Sequence, residues 1–150
     1  MDPMSSTTPT PYTPQRAIQL LSDNSIRSEL RGDNLLVGFS DIVIQFTLAS
    51  DQLTATGVWR GALPIDRSAQ LLSACTTFNE TQVFPTMSFE KQGDSLSVFL
   101  RRGTDATYGL SDNQLGAWLL TTIEQCGNAT QWLASIFPEA VDWNEDGSPA

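Results

Sequence analysis

The chain has 150 residues, enough for one domain with a hydrophobic core, and no apolar run approaches the about 18 residues that a membrane span needs. Seventeen acidic residues against eight basic ones give a formal net charge of −9, which disfavours nucleic-acid binding because few cations can neutralise phosphates. Histidine is absent, which removes the commonest general base and nearly every zinc site. The composition therefore favours a protein without catalytic activity, metal or cofactor.

The two ends of the chain are predicted to be tails. Residues 1–12 contain three prolines among serines and threonines, have almost nothing to bury, and are predicted to be disordered. They lack the apolar core of a secretory signal, so we expect a cytoplasmic protein unless a leader has been removed. Residues 141–150 form an acidic tail in which Asp142 to Gly147 matches the first six positions of a calcium loop. The glutamate that completes such a loop is missing, which favours a solvated tail over weak calcium capture.

A first helix is predicted to begin at Thr13, because a hydroxyl cap followed by proline at the first helical position suits a helix N-terminus. The helical pattern ends near Asp23, and its short apolar face is formed by Ala17, Ile18 and Leu21. Residues 25–30 no longer keep that face. This segment is therefore predicted to be extended.

Hydrophobic residues alternate with a period of two from residue 34 onwards, which is typical of strands. Strands are predicted over residues 35–39, 42–48 and 53–59. The turns at residues 32–33, 40–41 and 50–51 are short, and short turns force neighbouring strands to pair. The pattern predicts an antiparallel meander.

Arg31-Gly32-Asp33 also matches the tripeptide that integrins recognise, but a tight turn is the favoured interpretation.

A second helix is predicted to begin with Asp66 as its cap and to end at about Asn79. Its apolar positions recur at helical spacing and are Ala69, Leu71, Leu72, Cys75 and Phe78. A hairpin follows, with strands predicted over residues 83–90 and 95–102 and a turn at Gly93.

The longest helical pattern extends from Tyr108 to Phe137, and Pro138 ends it. Ser111 can cap this helix, and Asp112 places negative charge at the positive end of its dipole. One apolar stripe is predicted to face the sheet: Leu115, Trp118, Leu119, Thr122, Ile123, Cys126, Ala129, Leu133, Ile136 and Phe137. Within it, six side chains are predicted to be buried: Leu115, Trp118, Leu119, Ile123, Leu133 and Phe137.

The predicted order is α-β-β-β-α-β-β-α, which indicates an α+β fold with helices packed on a mostly antiparallel sheet, in one domain over residues 13–140.

Cys75 and Cys126 lie on apolar helix faces, where burial as small hydrophobes is favoured over a disulfide between the two helices. Asn79 and Asn128 each begin an N-glycosylation pattern. Both are discounted because no secretion signal is visible.

Two local patterns of the sequence occur together in one known family. Asn79 precedes Val83-Phe84-Pro85 at the entry to a strand, and Gly109-Leu110-Ser111 with Gln114-Leu115 and Trp118 opens the last helix. In these features the chain resembles the YbjN-domain family over Thr13 to about Ala140, although Phe78 stands where the family usually has tryptophan. The resemblance implies a fold similar to type III secretion chaperones. It also implies a regulator of sensory transduction or stress, without catalytic residues.

Two functions are considered. The first is a non-enzymatic regulatory or chaperone-like module that binds a polypeptide partner. The alternative is a small-ligand or calcium-responsive sensor that uses a cavity between sheet and helices, or the segment from Asp142 to Gly147. For the first, Gly116, Leu120 and Gly127 are predicted to bind the partner, because small residues beside a leucine off the buried stripe would let a second copy or a partner helix dock.

Overall fold

The computed structural model describes residues 7–141, and the part of the chain that it describes contains three α-helices and seven strands. Their bounds are α1 Pro14–Asp23, β1 Glu29–Arg31, β2 Asn34–Gly38, β3 Ile42–Ala49, β4 Gln52–Trp59, β5 Leu63–Pro64, α2 Ser68–Thr81, β6 Thr86–Gln92, β7 Ser95–Asp105 and α3 Asp112–Ile136. Short 3-10 turns cover Ile65–Arg67 and Pro138–Val141. The predicted α+β class is confirmed.

All seven strands belong to one sheet, and every strand pair in it is antiparallel. β1 to β4 form the predicted meander, and β4 then pairs with β7. β5 pairs with the beginning of β7, and β6 pairs with β7 as a hairpin. The turns suit this arrangement, since Gly32, Ser50 and Asp51 adopt positive φ at two of the predicted hairpin turns.

The three helices pack on a single face of the sheet. Phe46 on β3 meets Trp118 on α3 edge to face, with ring centroids 5.8 Å apart. α1 packs on α3, and Phe78 on α2 lies 5.6 Å from the Trp132 ring of α3. Every second strand residue enters the core beneath them, including Leu35, Val37, Ile42, Ile44, Phe46, Leu53, Ala55, Met87, Val98 and Leu100. Burial of these strand side chains contributes most to the stability of the fold.

Side-chain caps begin α1 and α3 where the sequence predicts them. Thr13 Oγ1 accepts a hydrogen bond from the Arg16 amide at 3.2 Å. Ser111 and Gln114 form a reciprocal capping box, in which each side chain bonds the backbone N–H of the other residue. Local chemistry therefore fixes both helix starts.

α2 differs from its prediction. It begins at Ser68 after a 3-10 turn, and Asp66 makes no capping bond. The helix is rotated so that Leu71, Ala74, Cys75 and Phe78 face the core, which leaves Ala69 and Leu72 exposed. The sequence holds apolar residues on both sides of this helix, so periodicity alone could not choose between them.

The strands also differ from their predicted bounds. β1 and β5 are additional, and they are too short to show a repeating pattern. β6 begins at Thr86 instead of Val83, whose side chain is 93% exposed. Pro85, which follows a cis peptide bond, has no N–H for a sheet ladder, so pairing starts after it.

The N-terminal boundary lies earlier than predicted. Thr10 forms an isolated bridge with Leu110, and the Tyr12 ring is buried in the core at 7% exposure. Disorder of Thr10 to Tyr12 is therefore not what the structure shows, because the Tyr12 ring provides the apolar surface that the rest of the segment lacks. Residues 1–6, and the predicted acidic segment from residue 142 onwards, lie outside the described residues.

Five of the six α3 side chains predicted to be buried are buried, whereas Ile123 is half-buried. Ile136, also on the predicted stripe, is exposed. Ile123 lines a cavity together with Phe39 and Ile42, at the start of β3, so part of its side chain faces this cavity. None of the helices within residues 7–141 combines the length and apolarity needed to cross a membrane.

Both cysteines are buried free thiols, as the packing interpretation predicts. Burial raises the pKa of Cys75 to about 11 and that of Cys126 to about 12. The nearby Arg102 charge opposes the increase at Cys126 without cancelling it. Since the thiolate is the reactive form, both groups are poor nucleophiles at neutral pH.

Candidate partner-binding surface

The face of the sheet opposite the three helices carries no helix among the described residues, and we call it the open face. Its side chains alternate with those of the core along each strand. Gln45 and Val58 on this face are exposed, and Val43, Thr54 and Thr56 are half-buried. The open face therefore presents side chains from several adjacent strands to solvent.

An apolar row crosses the open face. Val43 on β3 pairs with Val58 on β4, and Val58 pairs with Phe99 on β7. Val58 is 37% exposed, whereas Phe99 is buried at 9% exposure, with the Arg101 guanidinium 4.9 Å from its ring centroid. Residues directly opposite one another on neighbouring strands are in side-chain contact range. The row is therefore a continuous apolar strip over three strands.

One end of the apolar row opens into a cavity of about 420 Å³ that we call the arginine cleft. It is lined by three exposed cations, Arg27, Arg31 and Arg60, and by the half-buried apolar residues Leu36 and Val43. Its lining is Arg27, Ser28, Glu29, Arg31, Leu36, Gly38, Val43 and Arg60. Positive charge and apolar surface therefore occur side by side.

The three arginines are positioned by separate elements. Arg31 ends β1, opposite Asn34 of β2. Arg60 follows β4, where its backbone N–H donates to the Asp41 carbonyl at 2.8 Å. Arg27 lies in the connection between α1 and β1. The pairing of β2 with β3 and of β3 with β4 therefore brings Arg60 close to Arg27 and Arg31, which lie far from it in sequence.

Glu29 is the one carboxylate in the lining of the cleft. It accepts a hydrogen bond from Arg31 Nε at 3.3 Å, and both side chains are largely exposed. Arg27 and Arg60 form no ion pair within residues 7–141. An exposed pair of this kind contributes about 0–1 kcal/mol, so Glu29 can exchange for another carboxylate at little cost.

Other cations of the chain are engaged elsewhere. Arg16 is paired with Asp112 at 2.8 Å, and Arg67 with Glu139. Arg102 stacks on the Phe84 ring at 3.9 Å and donates to Thr122 Oγ1 at 2.9 Å. Burial lowers the pKa of Arg102, and these neighbours compensate for its lost hydration. The cleft thus holds three of the eight basic residues of a chain whose net charge is −9.

A second apolar depression lies between α2 and α3, with a volume of about 460 Å³. The rings of Phe78 and Trp132 line it together with Ala129, and its rim is polar. It lies between two helices, whereas the sequence predicts a ligand cavity between the sheet and the helices. This groove could hold a small apolar group.

The three predicted partner-binding residues have different surroundings. Gly116 faces α1, because a Cβ built there would lie 3.9 Å from Leu20 Cδ2. Leu120 is half-buried and so is not the exposed leucine that the sequence suggests. Gly127 has open space around it and borders a cavity of about 300 Å³ beside Phe39 and Ile123. A role in partner binding stays a prediction for all three.

The arginine cleft was missed by sequence reasoning. The sequence signal for it is the occurrence of Arg27, Arg31 and Arg60 in a chain with few cations. The sequence interpretation of Arg31 concerns only its tight turn.

Across residues 7–141, no group of three or more histidine, cysteine, aspartate or glutamate side chains is placed to hold a metal ion. The calcium-like segment from Asp142 to Gly147 lies beyond this range.

An antiparallel sheet covered by helices on one face defines the protein as an α+β domain with one open sheet face. The chain belongs to the YbjN family, whose model, described as "Putative bacterial sensory transduction regulator", matches residues 20–135. This confirms the resemblance seen in the sequence.

A solved structure supports the same architecture. The crystal structure of YbjN from E. coli, described in its title as "a putative transcription regulator", is similar with a TM-score of 0.73. The match covers 87% of this chain and 97% of that chain at 10% sequence identity, so it shows a shared fold. A search of curated protein sequences gives no significant match.

Proposed function

We propose that the chain is a non-enzymatic regulatory module that binds a polypeptide partner through the open face. The observation that carries this proposal is the apolar row of Val43, Val58 and Phe99 on a sheet face that no described helix covers. The family description, a regulator of sensory transduction, supports a regulatory role.

The physical argument concerns what a solvent-facing sheet surface normally contains. Antiparallel sheets with one wet face usually place polar residues there. Here an apolar row of two valines and a buried phenylalanine interrupts a face of glutamine and threonine side chains and ends at three arginines, and aromatic residues and arginine are the types enriched at protein interfaces. The open face therefore has the composition of a recognition surface.

Several observations support a function without catalysis. The chain has no histidine. Cys75 and Cys126 are buried, with thiol pKa values raised to about 11 and about 12. A nucleophile needs a lowered pKa or a nearby base, and neither thiol has one. Two free thiols also fit the proposed cytoplasmic location.

The test replaces an apolar residue on the open face and one elsewhere. Val58→Asp should abolish capture of a specific partner from native lysate, because the charge would be buried in the contact. Leu72→Asp is the matched control, since Leu72 is 59% exposed on α2, away from the open face. Melting curves establish that both variants fold. Unchanged capture by Val58→Asp, or turnover of a metabolite by the wild-type protein, would contradict the proposal.

A second candidate function is a small-ligand sensor, favoured by the apolar depression between α2 and α3 that Phe78 and Trp132 line. A thermal-shift panel of metabolites and a calorimetric titration with calcium distinguish the two. Both should be flat for a polypeptide-binding module. A saturable response that Trp132→Ala removes would favour the sensor.

A second copy of the chain is also a candidate partner. Light scattering measures its mass directly, and Leu120→Asp should lower that mass if α3 forms the dimer contact. A wild-type protein that is monomeric at high concentration removes the homodimer.

A further inference from the structure

We infer that the arginine cleft recognises an acidic segment of the polypeptide partner, with an apolar side chain of that segment on the adjoining row. This inference rests on the proposed function and specifies the chemistry of the partner. The occupant is a carboxylate-bearing stretch that bonds Arg27, Arg31 and Arg60.

The first step of the argument is charge complementarity. Three guanidinium groups line one cavity of about 420 Å³, and Glu29 is the single carboxylate in that lining. Guanidinium groups bind carboxylates through paired, charge-assisted hydrogen bonds. The lining thus has more positive than negative charge, although the chain as a whole is strongly acidic. An acidic ligand restores local neutrality.

The second step concerns the apolar part of the cleft lining. Leu36 and Val43 are half-buried in this lining, and Val43 continues into the apolar row through Val58. A free anion such as phosphate would leave this apolar surface uncovered. A peptide with an acidic residue and an apolar residue two positions apart would satisfy both parts, since residues i and i+2 of an extended segment point to the same side.

The third step separates a peptide from a nucleic acid. A net charge of −9 repels polyanions at long range, and the repulsion grows with the charge of the ligand. A segment with two or three carboxylates carries far less charge than a nucleic-acid site. Short-range pairing in the cleft can therefore exceed the repulsion for the peptide.

The test uses the full chain labelled with ¹⁵N and a short synthetic peptide in which glutamate and valine stand two positions apart, on the same side of the extended peptide. Addition of this peptide should shift the NMR signals of residues around the cleft, including the arginine side-chain N–H groups. A peptide with glutamine in place of glutamate should bind about tenfold more weakly, because the charge-assisted bonds are lost. High salt should weaken the binding of the glutamate peptide.

Variants locate the binding. The double variant Arg27→Gln/Arg60→Gln should lose the shifts, whereas Lys91→Gln, which removes one charge from the exposed edge strand β6, should retain them. Normal binding by the double variant, or equal binding of the glutamine peptide, overturns the inference. Equal shifts from inorganic phosphate at the same concentration also overturn it, since they indicate a simple anion site.

Two further outcomes are distinguishable. If a chain lacking residues 142–150 binds the glutamate peptide about tenfold more tightly, the acidic C-terminal residues of the chain itself compete for the cleft and the partner assignment fails. If Val58→Asp abolishes partner capture but the double variant and salt do not affect it, the proposed function stands and the acidic-segment inference fails.

Discussion

The side-chain amide of Asn79 binds both backbone groups of Met87. Asn79 Nδ2 donates to the Met87 carbonyl at 2.8 Å, and the Met87 N–H donates to Asn79 Oδ1 at 2.8 Å. Met87 opposes Leu100 on β7, and β6 is an edge strand. The amide thus takes the place of a neighbouring strand and fixes α2 against β6.

Replacement of Asn79 by alanine should lower the free energy of unfolding by about 1–3 kcal/mol, because two backbone groups at the strand edge lose their partners. Asn128→Ala is the matched control, since Asn128 is an exposed residue of α3. Urea denaturation measures both. Equal stability of the two variants would show that water replaces the amide without cost.

Replacement of Phe137 by alanine should cost about 3–5 kcal/mol, the scale for an aromatic ring removed from a packed core. Phe137 is fully buried, and Arg67 lies over its ring at 5.2 Å. Trp118→Ala should cost a similar amount. Ile136→Ala, one residue earlier and exposed, should change stability little. A Phe137 variant with an unchanged melting curve would refute the assignment of this ring to the core.

The two tyrosines of the chain offer a matched pair. Tyr12 is buried, whereas Tyr108 is 89% exposed. Tyr12→Ala should therefore cost about 3 kcal/mol and Tyr108→Ala almost nothing, as thermal unfolding would show. This expectation differs from the one that the predicted disorder of residues 1–12 implies, in which Tyr12 contributes nothing to stability. Equal melting temperatures of the two variants would support the predicted disorder.

Stability should also fall at alkaline pH because of Tyr12. Burial raises the pKa of Tyr12 to about 12, whereas an unfolded tyrosine has a pKa of about 10. Well below pH 10 the phenol is neutral in both states, so its contribution is fully present. As the pH rises from 10 to 12, ionisation favours the unfolded chain by up to about 2–3 kcal/mol.

The variant Tyr12→Phe tests this pH dependence. The Tyr12 hydroxyl has no hydrogen-bond partner among the described residues, so the change should be neutral or slightly stabilising at pH 7. Between pH 10 and 12 the variant should lose less stability than the wild type. Cys75 and Cys126 are common to both proteins, so their ionisation cancels in the comparison. Parallel stability curves would show that the phenol titrates normally.

Replacement of Gly127 by alanine should raise stability by about 0.5–1 kcal/mol, because alanine is the better helix former and no atom lies within 4 Å of the new Cβ. Chemical denaturation measures the gain. If Gly127 binds a partner, Gly127→Ala should weaken capture of that partner while it stabilises the free chain. Unchanged capture would remove Gly127 from the predicted partner-binding set.

Local chemistry made much of the fold predictable. Thr13 and Ser111 cap the helices where the sequence indicates, because capping depends on residues within one turn. The meander follows from alternation and short turns, which are also local. Prediction failed where two faces of an element were equally apolar, as in α2, or where an element was too short to show a period, as in β1 and β5.

The sequence by itself determined the class of fold, the burial of most of the α3 stripe and the absence of histidine chemistry. Only the tertiary structure decided that all three helices lie on one face and that Arg27, Arg31 and Arg60 meet on the other. Periodicity distinguishes the two sides of a strand, but it does not show which side the distant helices will cover. The cleft depends on the register in which β1 to β4 pair, and alternation with short turns predicts that these strands pair but not which side chains meet at the end of the sheet.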